Sequence, residues 1–311
     1  MKKSYFLLLN LIMPFVILAQ VNERNLKNEN LLQQFSYKKD IIYKTVNDEN
    51  LDLIFFLPKI KKYDKTPVML YTHGGGWGKG DKYNILQRDF IETLQILTDN
   101  GIACASIEYR LTRPGISTAY DCVVDCKDAG RFLMKNAKEY GLDEKKIGVW
   151  GGSAGGHLSL MTALGTPKYF PGEKDLKNFD PDYKCVASYF PLTSFLNPKT
   201  LQGSNFVNPN RFIPMFGGLL EEKRDTAKLI SPVEYLNKNS PPILLLHGDN
   251  DKVLSINNSL YMMEVAKEKG APVEMLTVEG GGHGFQGENI KPLMSEINKI
   301  SAKFIMKHLL E

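Results

Sequence analysis

Cysteine, tryptophan and histidine are scarce in this chain of 311 residues, which has four cysteines, two tryptophans and five histidines. The spacing of Cys104, Cys122, Cys126 and Cys185 fits no metal-ligand pattern. Two of them lie on a predicted helix and two in apolar strand-like runs, which predicts mostly buried thiols. Export would permit a disulfide, but the sequence assigns no pairing. No metal site is therefore expected.

A large excess of one charge is also missing. The formal net charge is +4, and removal of residues 1–19, which contain two lysines and no acids, leaves +2. The basic cluster over residues 59–65 contains Asp64, as a solvated surface would. This balance favours no charged partner, and no nucleic acid is expected to bind. With 43% hydrophobic and 24% charged residues, the chain has the composition of one large globular domain.

Long apolar runs are few, and the one at the N-terminus is short. Lys2 and Lys3 precede an apolar run over residues 5–18, and residues 1–19 together have the layout of a secretory signal peptide. A membrane anchor is the alternative, but the run is short for a spanning helix. We expect a periplasmic or secreted protein that begins near Gln20 and has no stable membrane insertion after signal removal.

A polar lead over residues 20–38 precedes a single predicted domain over residues 39–311. Its first two strands, Lys39–Thr45 and Leu51–Leu57, are predicted to be antiparallel. Later strands are expected at 67–72, 102–107, 147–150, 185–190, 243–246 and 273–278, and helices at 83–98, 119–140, 256–269, 291–310 and from residue 156 onward. This alternation predicts the α/β class with a mostly parallel, doubly wound sheet.

The turn Gly151–Gly155 has the Gly-x-Ser-x-Gly pattern of a nucleophile elbow, with Ser153 at its centre. Such an elbow is strained at the serine and leaves no room for side chains beside it. It lifts the hydroxyl above the sheet and aims the N-terminus of the next helix at any negative charge that develops there. An ordinary strand-to-helix turn is the alternative.

A second glycine-rich loop, His73-Gly-Gly-Gly-Trp77-Gly, directly follows the predicted strand over residues 67–72. Consecutive glycines can turn their amides inward without obstruction, and two such N–H groups beside a nucleophile form an oxyanion hole. A flexible linker is the alternative, but a linker would not normally start at the end of a buried strand. We expect His73 to hold this loop by hydrogen bonds.

A serine nucleophile needs a base within hydrogen-bond reach and an acid that orients the base. His157 is predicted to point away from the hydroxyl on the helix after the elbow, and His247 and His308 lie at a strand end and on the last helix. His283 follows a strand, lies in a glycine-rich loop and comes after the candidate acids. That order, serine then acid then histidine, is the order of the hydrolase fold.

The acid is expected just after the predicted strand over residues 243–246. Asp251 is favoured over Asp249, because the earlier carboxylate is better placed to stabilise the turn itself. Glu279 is a more distant candidate. The three glycine-rich loops all follow parallel strands, so they are expected to meet at the carboxyl edge of the sheet, where such folds build their sites.

Residues 191–242 form a segment too long and too aromatic for a simple connection. It contains Phe195, Phe206, Phe212 and Phe216. A small lid or cap insertion over the active site is predicted here, with a loop packed on the flank of the domain as the alternative.

Several motifs occur together in the order of one known family: His73-Gly-Gly-Gly-Trp77, Tyr109-Arg-Leu111, Gly151-Gly-Ser-Ala-Gly-Gly-His157, His247-Gly-Asp-Asn-Asp251 and Gly282-His-Gly-Phe285. With them the chain resembles an α/β-hydrolase esterase. The elbow is most similar to that of the bifunctional feruloyl and acetylxylan esterases. Hormone-sensitive-lipase-like esterases are similar too, but they typically have aspartate where this chain has glycine 152.

The resemblance implies Ser153 as nucleophile, His283 as base and Asp251 as acid. It also implies oxyanion donors from the amides of Gly75, Gly76 and Ala154. Trp77 and Phe285 are expected near the substrate, and acyl-chain size is expected to depend on them and on the segment from Phe206 to Phe216. No cofactor and no metal are implied.

The implied activity is removal of acetyl or hydroxycinnamoyl groups from a polysaccharide or oligosaccharide ester. A general short-chain carboxylesterase is the nearest alternative. A serine peptidase of the prolyl-oligopeptidase type is less favoured, because the His-Gly-Gly-Gly loop resembles that of esterases. A non-catalytic binding protein on the same scaffold would be expected to lack a triad member, and all candidates are present.

Overall fold

The computed structural model describes residues 24–204 and 208–311 of the chain. They form one eight-stranded sheet with helices on both of its faces. The predicted signal peptide over residues 1–19 lies outside the described residues, so export stays a prediction. Within the described ranges, no helix is both long and apolar enough to cross a bilayer.

The strands confirm the predicted α/β fold with antiparallel N-terminal strands. Their bounds are β1 Ser36–Val46, β2 Glu49–Leu57, β3 Thr66–Thr72, β4 Ala103–Ile107, β5 Leu142–Gly152, β6 Val186–Tyr189, β7 Ile243–Gly248 and β8 Val273–Val278. Their order in the sheet is β1-β2-β4-β3-β5-β6-β7-β8. β2 pairs antiparallel with β1 and β4, and all other neighbours are parallel. The carboxyl ends of β3, β5, β6, β7 and β8 therefore meet at one edge.

Helices cover the sheet, as the parallel crossovers require. The α-helices of the described ranges are α1 over 24–32, α2 Ile91–Asp99, α3 Ala119–Lys135, α4 Ala137–Tyr140, α5 Ala154–Leu164, α6 Pro198–Leu201, α7 Ile213–Phe216, α8 Arg224–Leu229, α9 Asn257–Lys269 and α10 Met294–Leu310. Short 3-10 turns lie between some of them.

Both faces of the sheet are buried, because successive side chains of a strand point to opposite faces. Along β3, Val68 and Leu70 belong to one apolar core, and Met69 and Tyr71 belong to the other. The first core is covered mainly by α3, α5 and α9, and the second by α1, α2 and α10. The sheet is thus a rigid platform for the loops at its carboxyl edge.

The prediction of one continuous helix over residues 83–98 is wrong in its first half. Residues Lys82–Leu86 form a 3-10 turn, and α2 begins only at Ile91. The Asp81 carboxylate accepts the Tyr83 N–H at 3.0 Å, which caps the short turn separately. Residues 87–90 between the two helical pieces are therefore free to face the site.

Two other predicted helices differ from the structure at their ends. The helix predicted over 119–140 divides into α3 and α4 at Asn136, whose side-chain amide donates to the Phe132 carbonyl at 2.9 Å. The helix predicted over 291–310 begins at Met294. Pro292 disfavours helical backbone at Lys291, the residue before it, where the helix was predicted to begin.

The predicted polar lead over residues 20–38 contributes to the core. Leu32, at the end of α1, is fully buried, and Phe35 packs edge-on against Phe56 with ring centroids 5.4 Å apart. β1 begins directly afterwards at Ser36. The apolar residues in this lead are too few to give a clear period, so sequence patterning could not place them.

The described parts of the predicted lid segment, 191–204 and 208–242, contain α6, α7, α8 and short 3-10 turns. Phe195, Phe212 and Phe216 are buried and pack against one another with ring centroids 5.1 to 6.3 Å apart. Phe206 lies outside the described residues. The segment joins the core on the α3 and α5 side, and its function as a lid stays a prediction.

Candidate active site

Ser153 occupies a sharp turn between β5 and α5, with φ 59° and ψ −122°. This backbone conformation is strained for a residue with a side chain. A Cβ at Gly151 would lie 2.4 Å from the Thr72 carbonyl oxygen, and a Cβ at Gly155 would lie 2.0 Å from the same atom. Only glycine fits these two positions, as the elbow pattern predicted.

The structure brings Ser153, His283 and Asp251 together from three distant segments. The Nε2 atom of His283 lies 2.9 Å from the Ser153 Oγ, and its Nδ1 atom lies 2.7 Å from the Asp251 Oδ2. When Nδ1–H donates to the carboxylate, Nε2 presents its lone pair to the serine hydroxyl. This is the arrangement that a general base requires.

Asp251 has further hydrogen bonds that hold its carboxylate in place. Its Oδ1 accepts the backbone N–H groups of Val253 and Leu254 at 2.8 and 2.9 Å. Burial by itself would raise the pKa of Asp251, but the nearby His247 and the hydrogen bond with His283 bring that pKa well below its usual range. The carboxylate is therefore ionised and can orient the imidazole.

The alternative acids have other partners. The Asp249 Oδ1 accepts the Gly280 N–H at 2.8 Å, which ties the loop after β7 to the loop after β8. The backbone of Glu279 pairs with that of Lys291. The geometry thus favours Asp251, and Asp249 holds the two loops together instead of stabilising its own turn.

The remaining histidines are directed elsewhere. His247 is buried, with Nδ1 2.8 Å from the Ser259 Oγ and Nε2 2.8 Å from the Leu254 carbonyl. Its Nε2 lies 3.5 Å from Asp251, so the N–H points mainly to the carbonyl. His308, on α10, lies 4.0 Å from Glu311.

The predicted oxyanion donors lie next to the elbow. A Cβ at Gly74 would be 2.8 Å from the Gly152 carbonyl oxygen, so the glycine loop and the elbow are in direct contact. Within residues 24–204 and 208–311, the amides of Gly75, Gly76 and Ala154 donate to no other group. Free amides beside a nucleophile can stabilise a developing oxyanion.

His73 and Tyr109 support the glycine loop from behind. The His73 Nδ1–H donates to the Gly74 carbonyl at 2.8 Å, and the Tyr109 hydroxyl donates to the His73 carbonyl at 2.8 Å. The two rings stack with centroids 4.1 Å apart. Burial lowers the pKa of His73 to about 4, so its ring is neutral near pH 7. His73 therefore holds the loop, as predicted.

Trp77 and His157 connect the glycine loop to α5. The Trp77 Nε1–H donates to the His157 Nδ1 at 3.2 Å, and the His157 Nε2–H donates to the Ile230 carbonyl at 2.7 Å. His157 thus points away from Ser153. Trp77 borders the cavity but is only 1% exposed. It supports the cavity wall, and its contact with substrate stays a prediction.

Phe285 is buried under the site. Its ring packs against Phe190 at 5.2 Å, and the Phe190 ring packs against His283 at 4.7 Å. Phe190 borders the cavity in front of Ser153, whereas Phe285 lies behind it. Phe285 therefore supports His283 through Phe190, and its predicted contact with substrate remains untested.

Backbone strain is concentrated around this site. Trp77, Ser153, Phe190 and Phe285 all have positive φ, between 37° and 60°. Each such residue costs about 1 to 3 kcal/mol and persists only where its surroundings hold it. The packing of the sheet edge therefore maintains the site.

A cavity of about 720 Å³ opens beside Ser153 and His283. Its volume is in the range of small-molecule sites. Polar side chains line part of its wall, among them Asn84, Gln87, Asp89, Thr112, Arg211 and Gln286. Apolar groups form the larger part, among them the side chains of Phe90, Phe190, Pro214, Val253 and Leu254. The cavity can accept an ester that has a polar portion.

Sequence reasoning missed Phe190 and Asp89. Phe190 directly follows β6, so the rule that sites form at the carboxyl ends of parallel strands could have found it. Asp89 was placed inside a predicted helix, and no signal in the sequence contradicted that placement. Within the described residues, no group of three or more His, Cys, Asp or Glu could hold a metal ion.

Comparison with known proteins gives one family match. The family model described as BD-FAE, for bifunctional feruloyl and acetylxylan esterase, matches residues 51–265. Esterase LipQ of Mycobacterium tuberculosis is 26% identical over 244 residues, which cover 75% of this chain and 53% of that protein. A probable isoprenylcysteine alpha-carbonyl methylesterase of Oryza sativa is 28% identical and is covered over 57% of its length. The chain thus spans about half the length of these two relatives.

Solved structures of esterases share the fold. Native esterase 2 of Thermogutta terrifontis superposes with a TM-score of 0.69 at 24% identity, over 88% of this chain and 92% of that one. A truncated carbohydrate esterase from gut microbiota gives a TM-score of 0.71 at 24% identity, over 89% of this chain and 98% of that one.

Proposed function

The chain belongs to the BD-FAE family, and from this membership and the site geometry we propose that it is a serine-dependent carboxylic ester hydrolase. The observation that supports this most directly is the continuous hydrogen-bond chain from Ser153 through His283 to Asp251, at 2.9 and 2.7 Å. A nucleophile, a base and an orienting carboxylate in this order suit acyl transfer.

In the proposed reaction, the Ser153 hydroxyl attacks the ester carbonyl while His283 takes its proton. The amides of Gly75, Gly76 and Ala154 stabilise the oxyanion, and loss of one such donor costs about 3 kcal/mol in the barrier. His283 then returns the proton to the leaving alcohol. Water, deprotonated by His283, hydrolyses the acyl-enzyme and releases the acid.

The Ser153→Ala variant tests this mechanism. We expect kcat for 4-nitrophenyl acetate to fall roughly 10⁴-fold or more, with the thermal unfolding midpoint close to that of the wild type. Ser36→Ala, at an exposed position at the start of β1, is the matched control and should retain full activity. A Ser153→Ala protein with unchanged turnover would refute the assignment.

We further propose that the natural substrate is an acylated carbohydrate from which acetyl or hydroxycinnamoyl groups are removed. Family membership supports this class, and the polar side chains in part of the cavity wall can hydrogen-bond a carbohydrate. Rates for acetylated xylan, methyl ferulate and 4-nitrophenyl esters of increasing acyl length test it. Efficient hydrolysis of the simple esters alone would instead indicate a general short-chain carboxylesterase.

Export is part of the same proposal, since a polysaccharide substrate would be met outside the cytoplasm. The layout of residues 1–19 supports it. N-terminal sequencing of the protein recovered from the periplasm or the medium should give a chain that starts near Gln20. Recovery of the full-length chain from the cytoplasm alone would contradict export.

A further inference from the structure

One side chain inside the catalytic cavity has no part in the mechanism above. Asp89 lies in the irregular stretch between the 3-10 turn Lys82–Leu86 and α2, and it borders the same cavity as Ser153 and His283. Its side chain is 18% exposed, so it is mostly enclosed and still reachable from the cavity.

The carboxyl group of Asp89 lies beside the loop of the catalytic histidine. A Cβ at Gly284, the residue after His283, would be only 2.8 Å from the Asp89 Oδ2. The next residue in the chain, Phe90, contacts the elbow, since a Cβ at Gly152 would be 2.6 Å from its ring. Asp89 therefore lies against the histidine loop and next to a residue that contacts the elbow.

Asp89 is poorly paired for so enclosed a group. Among the described residues, its one ion-pair partner is Arg88, whose Nε lies 3.7 Å away on a side chain that is 61% exposed. Burial raises the pKa of Asp89 to about 6, although Arg88 and His283 lower it. A mostly buried carboxyl group without strong hydrogen bonds is destabilised, so a polar ligand that hydrogen-bonds it would bind favourably.

A second incompletely paired group lies behind Asp89. Four buried polar side-chain atoms have no hydrogen-bond partner within the described chain, and the Tyr71 hydroxyl is the one that belongs to a cavity-lining residue. The Tyr71 ring packs against Phe90 at 5.2 Å. The nearby charge of Asp89 contributes, after burial, to the raised pKa of Tyr71. Buried polar groups usually find partners.

We propose that Asp89 is a specificity-determining residue that hydrogen-bonds a hydroxyl group of the ester substrate, with Tyr71 as a positioning residue behind it. This inference rests on the proposed esterase function of the same site. A hydroxyl group both donates and accepts, so it suits a carboxyl group in either protonation state. The hydroxyl can come from the phenol of a hydroxycinnamoyl group or from the sugar.

Two substrate pairs distinguish these sources. Methyl 4-hydroxycinnamate and methyl cinnamate differ only in the phenol. A monoacetylated methyl xyloside and cyclohexyl acetate differ mainly in the ring hydroxyls and the ring oxygen. For each pair, the quantity to measure is kcat/KM for the ester with the hydroxyl divided by kcat/KM for the ester without it. This ratio does not depend on what fraction of a variant is folded.

The variants Asp89→Leu and Asp89→Asn have side chains of similar shape. Asp89→Leu removes all hydrogen bonding, and we expect it to lower the ratio of one pair about 10-fold or more. Asp89→Asn can still donate and accept, so its ratio should be intermediate. Tyr71→Phe should lower the same ratio by a smaller factor. Asp182→Asn, at a side chain that is 93% exposed, is the matched control and should keep both ratios.

A lowered ratio in the phenol pair assigns the subsite to the acyl group, and a lowered ratio in the sugar pair assigns it to the alcohol. Ratios within twofold of the wild type for both pairs in Asp89→Leu would overturn the proposal. A wild-type enzyme that prefers the hydroxyl-free member of both pairs would overturn it too. Failure of the esterase proposal is distinguishable, because 4-nitrophenyl acetate would then not be hydrolysed at all.

Discussion

The indole Nε1–H of Trp77 donates a hydrogen bond to Nδ1 of His157 across 3.2 Å, although 80 positions separate the two residues. This bond joins the glycine loop to the helix that begins at the nucleophile. The amides of Gly75 and Gly76 are therefore positioned relative to Ser153 by a contact between buried side chains.

Replacement of Trp77 by phenylalanine should affect both stability and rate. The His157 Nδ1 would lose its donor inside the core, at a cost of about 1 to 3 kcal/mol in the free energy of unfolding. The loop that provides two oxyanion donors would be held less firmly, so kcat should fall more than KM changes. Urea unfolding and steady-state kinetics on 4-nitrophenyl acetate measure the two effects. An unaltered kcat in a destabilised protein would limit Trp77 to a structural role.

The choice of acid can be tested by comparing Asp251→Asn with Asp249→Asn. Asp251 contacts His283, so its replacement should lower kcat on the order of 10³- to 10⁴-fold. Asp249 accepts a hydrogen bond only from the Gly280 N–H among the described residues, and asparagine can still accept it. The Asp249 variant should therefore keep most activity. Equal losses of kcat in the two variants would contradict the assignment of Asp251 as the acid.

The two glycines of the oxyanion loop should respond differently to alanine. At Gly75, where φ is 119°, an added Cβ would lie 2.1 Å from the Lys79 carbonyl oxygen, so the backbone must move. At Gly76, where φ is 62°, an added Cβ would have no atom within 4 Å. The only cost of alanine there is its left-handed backbone conformation, about 1 to 2 kcal/mol. We expect kcat to fall at least 100-fold in Gly75→Ala and much less in Gly76→Ala. The reverse order would contradict this loop geometry.

Acid should destabilise the fold through its buried histidines. Burial lowers the pKa of both His73 and His157 to about 4, whereas an exposed histidine has a pKa of about 6.5. Between these values the unfolded chain binds more protons, so the free energy of unfolding falls as the pH falls from about 6.5 to 4. Each histidine should contribute about 2 kcal/mol to the loss between pH 7.5 and pH 5.

The variant His157→Gln isolates one of these contributions. Glutamine does not titrate. Between pH 7.5 and pH 5 the free energy of unfolding of the variant should therefore fall by about 2 kcal/mol less than that of the wild type. Urea unfolding at the two pH values gives both numbers. Identical losses would mean that His157 does not titrate differently in the folded and unfolded chains.

The strands, and the three segments that meet at the site, could be predicted from the sequence. Ser153, Asp251 and His283 each follow a strand with a strong apolar run, and parallel strands bring their carboxyl ends to one edge. The preference for Asp251 agrees with the geometry, but its reason was wrong: Asp249 binds the loop after β8, and Asp251 itself accepts the N–H groups of its own turn.

What the sequence did not predict depends on tertiary contacts. The apolar positions Ile85 and Leu94 fit a helical period, but residues 87–90 between them leave the helix, and three of these four border the cavity. Asp89 was hidden by that error. The burial of Phe285 behind Phe190 likewise depends on how the loop after β8 packs, which no local pattern records.

Four of the seven non-glycine residues with positive φ in the described chain, Trp77, Ser153, Phe190 and Phe285, surround the reacting groups. Those conformations relax as soon as the neighbouring packing loosens. Mild denaturant should therefore inactivate the enzyme at concentrations where its spectroscopic signals are still native. Catalytic competence would be the first property lost on denaturation, and the last regained, since it returns only after the whole sheet edge has been rebuilt.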